Sequence, residues 1–227
     1  IRNKAFFNKV EIRNKGYLKQ ENIISFVEAF PDKPRAYHFT HMSNAVKIIK
    51  SHTLQSRNKA DGVFENSAGT NVDNTAKAHS FARFYFISKS PTLFYNECLG
   101  KDRNDGKYYS SALNLGLPKC PMPVFFVIDV EELLAKVPDK CYYSNGNMQK
   151  RSTRAYKVVD DPHHISTDEI YNKYNKDARQ QEFLVKDEVD LSSLSSLHIC
   201  CYDSYQRDML KSLVGSSPLK DRIISKE

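Results

Sequence analysis

The sequence predicts an α+β fold, because strand-like and helix-like stretches follow one another without a regular β-α-β alternation. Forty per cent of the 227 residues are hydrophobic, and 13 Phe with 13 Tyr are typical of a chain that folds around a core. This length suffices for one well-packed domain. The sequence contains no glycine-rich phosphate loop, no HExxH zinc motif and no GxSxG nucleophile motif. A doubly wound nucleotide-binding sheet is therefore disfavoured.

In the first half of the chain, apolar periodicity predicts helices and strands in alternation. ENIISFVEAF predicts a helix that ends near Pro31 and Pro34. RAYHFTHM predicts a strand, and SNAVKIIKSH predicts a helix with Ser43 as its N-cap. Residues 55–78 lack periodicity and are predicted to form a loop. FARFYFIS then predicts a strand, and KSPTLFYNECLG predicts a helix that begins at Ser90.

The second half begins with MPVFFVIDV, the clearest pattern for a buried strand, and EELLAKV predicts a short helix after it. CYYSNGNMQKRSTRAYK opens with a strand end and a turn, and its remainder is predicted to be helical, with Lys150, Arg151 and Arg154 on one side. A polar connection with a helix from Thr167 leads to two strands, EFLVKDEV and SLHICCYD. SYQRDMLKSLVG predicts a final helix, capped by Gly215.

Charge and cysteine content restrict the setting in which this chain works. The formal charge of +7 suits a polyanionic partner such as nucleic acid, and equally a solvated basic surface. Five cysteines without metal-binding spacing predict reduced thiols, no metal and an intracellular location, cytoplasmic or nuclear. No apolar run approaches the roughly 20 residues that span a bilayer. The chain opens with Ile1, and we expect a monomeric domain of a larger protein.

The stretch YHFTH combines a strand pattern with polar side chains that a purely structural strand does not require. Strand alternation places His38 and Thr40 on one face and Tyr37, Phe39 and His41 on the other. We expect the aromatic face to meet the core. The opposite face would then offer an imidazole and a hydroxyl to ribose, unless both groups are simply solvated.

Two further stretches carry polar groups at strand ends. FYFISKSP places Lys89 and Ser90 at a strand-to-helix turn, where backbone N–H groups favour a diphosphate, although Ser-Pro is also an ordinary helix start. RQQEFLV places Glu182 at the beginning of a buried strand. Such a carboxylate can orient a ribose hydroxyl and stabilise an oxocarbenium-like charge. The alternative is a strand-edge Glu182 paired with Arg179.

These stretches together resemble the DarT family, the DNA-modifying ADP-ribosyltransferases of toxin–antitoxin systems. That family shows Y-H-x-T-H-x-x-N, F-Y-F-x-x-R-S-P-M-L, F-[ST]-D-G-[HN]-A and R-Q-A-E-F-L-V in this order. This chain reads YHFTHMSN, FYFISKSPTLFY, YYSNGNM and RQQEFLV within residues 35 to 214. The resemblance implies two small packed sheets, mixed or antiparallel, flanked by helices around an NAD+ cleft. It implies transfer of ADP-ribose from NAD+ to a nucleobase, in single-stranded DNA rather than RNA, with loss of nicotinamide.

The resemblance also implies roles for individual residues. The catalytic pair would be Glu182 and Lys89. NAD+ would be bound by His38, Phe39, Thr40, Asn44 and Tyr85. Nucleic acid would be contacted by Asn147, Arg151, Arg154 and Arg179. Tyr142, Tyr143 and Tyr156 lie where they could stack on bases, with a core position as the alternative. The implied domain covers residues 35–215, after a helical extension over 1–34 and before a tail over 216–227.

Three positions depart from the family pattern. Lys89 stands where the family has arginine, and lysine keeps the charge but loses the planar, bidentate fork. Arg83 is a candidate to substitute in part. Asn145 stands where the family has Asp, and Thr92 where it has Met. Two alternatives therefore stay open: the same fold acting on RNA or protein, and a module that binds NAD+ or nucleic acid without turnover.

Overall fold

The structure is a computed structural model that describes residues 16–60, 76–93, 120 and 122–225. These residues contain ten strands and five α-helices, with a further helical turn at 91–93. None of the described helices is both long enough and apolar enough to cross a membrane. The helices are α1 (16–28), α2 (Met42–Ser51), α3 (Val130–Lys136), α4 (Thr167–Tyr171) and α5 (Ser204–Val214). The strands are β1 (Arg35–His41), β2 (Thr53–Gln55), β3 (Phe81–Tyr85), β4 (Pro123–Asp129), β5 (Cys141–Ser144), β6 (Ala155–Lys157), β7 (Glu182–Lys186), β8 (Glu188–Asp190), β9 (His198–Cys201) and β10 (Ile223–Ser225).

Eight of these strands form one sheet in the order β10-β9-β4-β1-β3-β7-β5-β6, and β2 pairs with β8 in a small second sheet. Neighbouring strands are antiparallel, except β9 and β10, which run parallel. The predicted α+β class is therefore confirmed. The predicted loop over 55–78 and the predicted helix after Ser90 lie largely outside the described residues.

The large sheet has a seam in its middle, between β1 and β3. Every residue from Arg35 to His41 has a partner in β4. Between the described residues of β1 and β3, by contrast, the register contains a single pair, Tyr37 with Tyr85. On its other side β3 pairs with β7 along its whole length. The sheet thus consists of two four-stranded halves that meet at one registered pair, and the seam brings the predicted NAD+ residues of β1 and β3 side by side.

One face of the large sheet covers the main hydrophobic core. His38 lies opposite Phe126 and Thr40 opposite Val124, and both β4 side chains are fully buried. Helices pack on this face through side chains that belong to the same cluster. The helical contributors are Phe26, Met42, Ala45, Ile49, Val130, Leu133, Leu134, Ile170, Leu210 and Val214.

The prediction that the aromatic face of β1 meets this core was wrong. Tyr37, Phe39 and His41 are only half-buried, and they lie on the opposite face of the sheet. Phe39 stacks on Tyr85 at 5.9 Å and packs obliquely on Phe125 at 6.2 Å. Alternation along a strand separates two faces but does not say which face the helices cover, so the larger aromatic content misled the prediction.

The ends of two helices test the capping predictions. The cap of α2 is His41 rather than the predicted Ser43, because β1 runs directly into the helix and its last residue occupies the cap position. The Nδ1 of His41 accepts a hydrogen bond from the Ser43 N–H at 3.2 Å. Gly215 ends α5 with a φ of 63°, as predicted, and its N–H donates to the Ser212 carbonyl.

The segment after β5 was wrongly predicted to be helical. β5 and β6 pair in antiparallel register, and residues 145–154 form the loop that joins them. The Nζ of Lys77 donates to the Thr153 carbonyl at 2.5 Å and also reaches the carbonyls of Lys150 and Arg151. These backbone acceptors are therefore satisfied by a lysine from a distant segment, and the strand pairing overrides the local helical pattern.

Both flanks of the predicted domain contact the sheet. In α1, Phe26 is fully buried in the main core. At the other end, β10 is an edge strand of the large sheet. The division at residues 35 and 215 stays a prediction.

Glu132, in the first turn of α3, binds the segment before β9. Its Oε1 accepts hydrogen bonds from the N–H and hydroxyl of Ser195 at 2.7 and 2.8 Å. Its Oε2 accepts from the N–H and hydroxyl of Ser196 at 2.8 and 2.5 Å. Burial alone would raise the pKa of Glu132, but the serine hydrogen bonds lower this pKa to about 2. The folded state therefore binds the proton less readily than the unfolded state does.

We expect Glu132→Gln to lower the free energy of unfolding by about 1 to 3 kcal/mol at pH 7, because hydrogen bonds to a charged acceptor are lost. The stabilisation is present above the unfolded pKa near 4.5 and is lost as the pH falls towards 2, so the two proteins should converge in acid. Urea unfolding at several pH values measures both effects. Glu131→Gln, an exposed carboxylate in the same turn, is the control and should change stability by less than about 0.5 kcal/mol. Equal losses in both variants would contradict the prediction.

Candidate active site

Glu182 is the first residue of β7 and lies opposite Tyr85 of β3. Its side chain is fully buried. Its backbone N–H donates to the hydroxyl of Ser144, at the end of β5, at 2.9 Å. The strand that carries Glu182 is thus fixed on both sides at the residue where it enters the sheet.

A bidentate ion pair joins Glu182 to Arg83. The Nε of Arg83 donates to Oε2 at 2.5 Å, and its Nη2 donates to Oε1 at 2.7 Å. The Met148 N–H also donates to Oε1, at 3.1 Å. The alternative partner considered from the sequence, Arg179, instead donates through Nη2 to the Lys89 carbonyl at 2.9 Å. The cation that contacts the predicted catalytic carboxylate is therefore on the neighbouring strand.

Burial and the charge of Glu182 shift the pKa values of Arg83 and Tyr85. Burial would lower the pKa of Arg83, but the charge of Glu182 and the hydrogen bonds to it raise this pKa overall. Burial and the negative charge of Glu182 raise the pKa of Tyr85 to about 12. Arg83 is therefore cationic and Tyr85 is a neutral phenol at physiological pH.

His38 spans the seam between the two halves of the sheet. Its Nδ1 lies 2.9 Å from the Arg83 carbonyl, and since a carbonyl only accepts, Nδ1 carries the proton. Burial lowers the pKa of His38 to about 4, an effect that the hydrogen bond to Arg83 opposes and the Arg83 charge assists. The imidazole is therefore neutral near pH 7, and its Nε2 is a hydrogen-bond acceptor.

The five predicted NAD+ residues fall into two groups. On the core side of β1, Thr40 is buried and its hydroxyl accepts a hydrogen bond from the Asn44 side chain at 3.2 Å, one helical turn further on. His38 belongs to this side as well. Phe39 and Tyr85 lie on the side of Glu182, where their stacked rings make an aromatic wall.

Lys89 is exposed in the turn after β3. The Ser90 hydroxyl accepts a hydrogen bond from the Leu93 N–H at 3.2 Å, which confirms the predicted helix start. Because Arg179 donates to the Lys89 carbonyl, the structure brings these two predicted site residues together. Lys89 thus stands at the surface, while Arg83 occupies the position next to Glu182.

A groove of about 370 Å³ lies between the loop 145–154 and the segment 175–181, the two segments that carry the predicted nucleic-acid residues. Asn147 lines it and donates through Nδ2 to the Gln180 side chain at 2.6 Å. Arg151 and Arg154 are exposed on the same loop. An exposed ion pair of 2.7 Å joins Lys150 to Asp177 across the groove.

Of the tyrosines considered for base stacking, Tyr143 is fully buried in the main core and cannot reach a base. Its hydroxyl donates to the Asp161 carbonyl at 2.7 Å. Tyr142 and Tyr156 are half-buried. Tyr174 was not among the predicted tyrosines, although it is 80% exposed and the Lys173 ammonium lies 4.9 Å from its ring centroid. It lines a neighbouring groove with Asn175 and Asp177, which also line the first groove. Its signal in the sequence was an aromatic residue in a polar, lysine-containing stretch.

Among the described residues, no group of three or more His, Cys, Asp or Glu side chains could hold a metal ion. Cys141, Cys200 and Cys201 form no disulfide. Burial raises the pKa of Cys141 to about 12, so this thiol is not a nucleophile at neutral pH.

Comparison with solved structures shows that the fold is similar to that of DarT structures. Thermus sp. 2.9 DarT in complex with ADP-ribosylated ssDNA is 14% identical with a TM-score of 0.63, over 86% of this chain and 98% of that chain. Thermus sp. 2.9 DarT in complex with NAD+ is 15% identical with a TM-score of 0.60, over 86% and 100%. Thermosipho africanus DarTG in complex with ADP-ribose is 17% identical with a TM-score of 0.54, over 84% and 51%.

The family model described as DarT, ssDNA thymidine ADP-ribosyltransferase, matches residues 37–226. The chain therefore belongs to the DarT family, a family of enzymes that transfer ADP-ribose, and the resemblance drawn from the four motifs is confirmed. A search of the curated proteins gave no match.

We expect His38 to titrate near pH 4 in the folded protein and near its ordinary value of about 6.5 in the urea-unfolded protein. Because the folded pKa is lowered, the unfolded state binds the proton more readily between these values, and acidification from pH 7 towards 4 should destabilise the fold. NMR titration of the imidazole protons, assigned with His38→Gln, measures the midpoint. A midpoint above 6 in the folded protein would refute the assigned neutral tautomer.

Proposed function

We propose that this chain transfers ADP-ribose from NAD+ to thymidine in single-stranded DNA and releases nicotinamide. Family membership over residues 37–226 supports the reaction class, and relatives of the same fold have been solved with NAD+ and with ADP-ribosylated ssDNA. The main structural observation behind the proposal is the position of the Glu182 carboxylate. Nε and Nη2 of Arg83, on the neighbouring strand, hold it beside the seam of the sheet. We place the reaction inside a cell, where NAD+ and DNA occur together.

In the proposed reaction, the bond between ribose C1′ and the nicotinamide nitrogen breaks, and its electron pair leaves with nicotinamide. Positive charge develops on the ribose, and Glu182 stabilises it while orienting a ribose hydroxyl. Thymine then bonds to C1′ through N3, because N1 already carries the deoxyribose. The N3 proton passes to solvent. Neutral Tyr85 and Phe39 make the wall against which the reacting groups pack.

NAD+ binding is proposed along the seam between β1 and β3. The Nε2 of His38 accepts a hydrogen bond from a ribose hydroxyl, because Nδ1–H already donates to the Arg83 carbonyl. Thr40 and Asn44, which are hydrogen-bonded to each other, complete the adenosine side. Lys89 lies just before the Ser90 cap of a helix start, where its ammonium is placed to offset the diphosphate charge.

The acceptor strand is proposed to bind at the groove beside Asn147. Arg151, Arg154 and Arg179 contact phosphates there in this proposal, and exposed Tyr174 offers a face for base stacking, which contributes about 1 to 3 kcal/mol per base. The target base must leave its stack to reach C1′. A single strand permits this at lower cost than a duplex, which first gives up a few kcal/mol of pairing and stacking.

A second candidate function is a module that binds NAD+ and DNA without turnover. Two observations favour it: Glu182 has no exposed surface, and a lysine rather than an arginine precedes the Ser90 cap. The same assay decides between the two functions, since a binding module retains NAD+ affinity but gives no labelled product. Activity on RNA or protein would appear as labelled RNA or labelled protein when these acceptors are added in place of DNA.

Incubation with labelled NAD+ and thymidine-containing single-stranded oligonucleotides should label the DNA, and Glu182→Gln should reduce this labelling at least about 1,000-fold, since the carboxylate charge acts on the transition state. Oligonucleotides without thymidine should stay unlabelled. Glu188→Gln, a carboxylate on β8 paired with Lys59, is the control and should leave activity unchanged. Failure of wild type to label any nucleic acid while still binding NAD+ would favour the binding module.

Oligonucleotide binding should weaken steeply between about 50 and 200 mM salt, because phosphate contacts release counterions. If Arg151 and Arg154 each contact a phosphate, changing both to Gln should reduce the slope of log K against log salt by about 1.4. Fluorescence anisotropy with a labelled oligonucleotide measures the slope. Arg35→Gln is the control, since Arg35 pairs with Asp129 at the start of β1. An unchanged slope in the double variant would place the strand elsewhere.

A further inference from the structure

We propose that Arg83 on β3 is the positioning residue for Glu182 in ADP-ribose transfer. The inference rests on the proposed function, and it assigns a role to a residue outside the motifs that identify the family. Three observations support the inference: the bidentate ion pair between Arg83 and Glu182, the pairing of β3 with β7, and the number of hydrogen bonds that each Glu182 oxygen accepts.

The guanidinium of Arg83 binds the Glu182 carboxylate through two parallel hydrogen bonds. Nε and Nη2 donate to separate oxygens at 2.5 and 2.7 Å, so the two planes are fixed relative to each other. A lysine ammonium offers a single point charge and cannot impose this orientation. Arg83 therefore determines the rotamer of Glu182 as well as compensating its charge.

The backbone of Arg83 is anchored on both sides. β3 pairs with β7 from Phe81 to Tyr85, and the Tyr85–Glu182 pair lies two residues from Arg83 on the same face. Across the seam, the His38 Nδ1–H binds the Arg83 carbonyl. An arginine on a paired strand is held more firmly than one in the turn after it, where Lys89 is exposed.

The burial of the pair makes its geometry important. The Glu182 side chain is 0% exposed and that of Arg83 is 20% exposed. Removing one partner of a buried ion pair leaves the other partner uncompensated in surroundings of low polarity, which is costly. Glu182 without Arg83 would therefore lose the interaction that holds its carboxylate in place.

The hydrogen bonds also distinguish the two oxygens of Glu182. Oε1 accepts from both Arg83 and the Met148 N–H, whereas Oε2 accepts from Arg83 alone among the described residues. A carboxylate oxygen accepts about two hydrogen bonds, so Oε2 retains capacity for a ribose hydroxyl.

The test compares Arg83→Gln, Arg83→Lys and the control Arg35→Gln, which removes an arginine from an ion pair elsewhere on the sheet. Transfer to single-stranded DNA is measured for each variant as kcat and as KM for NAD+. We expect kcat to fall about 100-fold in Arg83→Gln and about tenfold in Arg83→Lys, with KM for NAD+ within about threefold of wild type. A purely structural role would not lower kcat while leaving KM unchanged.

Adding Lys89→Arg to Arg83→Lys should not restore kcat, since an arginine in the exposed turn after β3 cannot replace the bidentate pair that Arg83 makes from within the strand. Recovery in that double variant, or a kcat within threefold of wild type in Arg83→Lys, would overturn the proposal. If Arg83→Gln does not fold, Arg83→Lys and the double variant decide the question. An inactive wild type would overturn the proposed function and this role with it, whereas an active wild type with unaffected Arg83 variants would overturn only this role.

Discussion

The Arg83–Glu182 pair places the tightest physical constraint on this molecule. A fully buried carboxylate is costly to desolvate, and the pairing has to be close and bidentate to offset that cost. Such a pair forms only if β3 and β7 are neighbours in the present register, so that Tyr85 faces Glu182 and Arg83 lies on the same face. The sheet order, the position of Ser144 at the end of β5 and the path of the loop after it all accommodate this requirement.

The seam between β1 and β3 is the feature of the sheet that the proposed NAD+ site depends on. A fully paired sheet has no unsatisfied backbone groups in its interior and no room for a ligand between its strands. Here the ladder is reduced to the Tyr37–Tyr85 pair, and the His38 imidazole supplies a side-chain donor to the Arg83 carbonyl. One hydrogen bond thereby closes the gap between the two halves and fixes the tautomer of a residue at the proposed NAD+ site.

The loop 145–154 couples this site to the groove proposed for DNA. On one side, the Met148 N–H contacts the Glu182 carboxylate. On the other, Asn147 and Lys150 reach across to Gln180 and Asp177. Any movement of the loop on binding a strand would therefore act directly on the hydrogen bonds of Glu182. The hydrogen bond from Lys77 to the Thr153 carbonyl limits how far the loop can move.

The sequence by itself determined the α+β class, most strands and helices, the Gly215 cap and, through four ordered motifs, the family. These features depend on local propensity, on alternation along a strand or on short motifs, all of which are written within a few residues. Only the tertiary structure decided which face of β1 meets the core, that residues 145–154 form a loop, and that Arg83 pairs with Glu182. Arg83 and Glu182 are 99 positions apart, and their contact exists because folding brings β3 beside β7. No local pattern encodes such a pairing, since its energy arises from burial that the extended chain does not have.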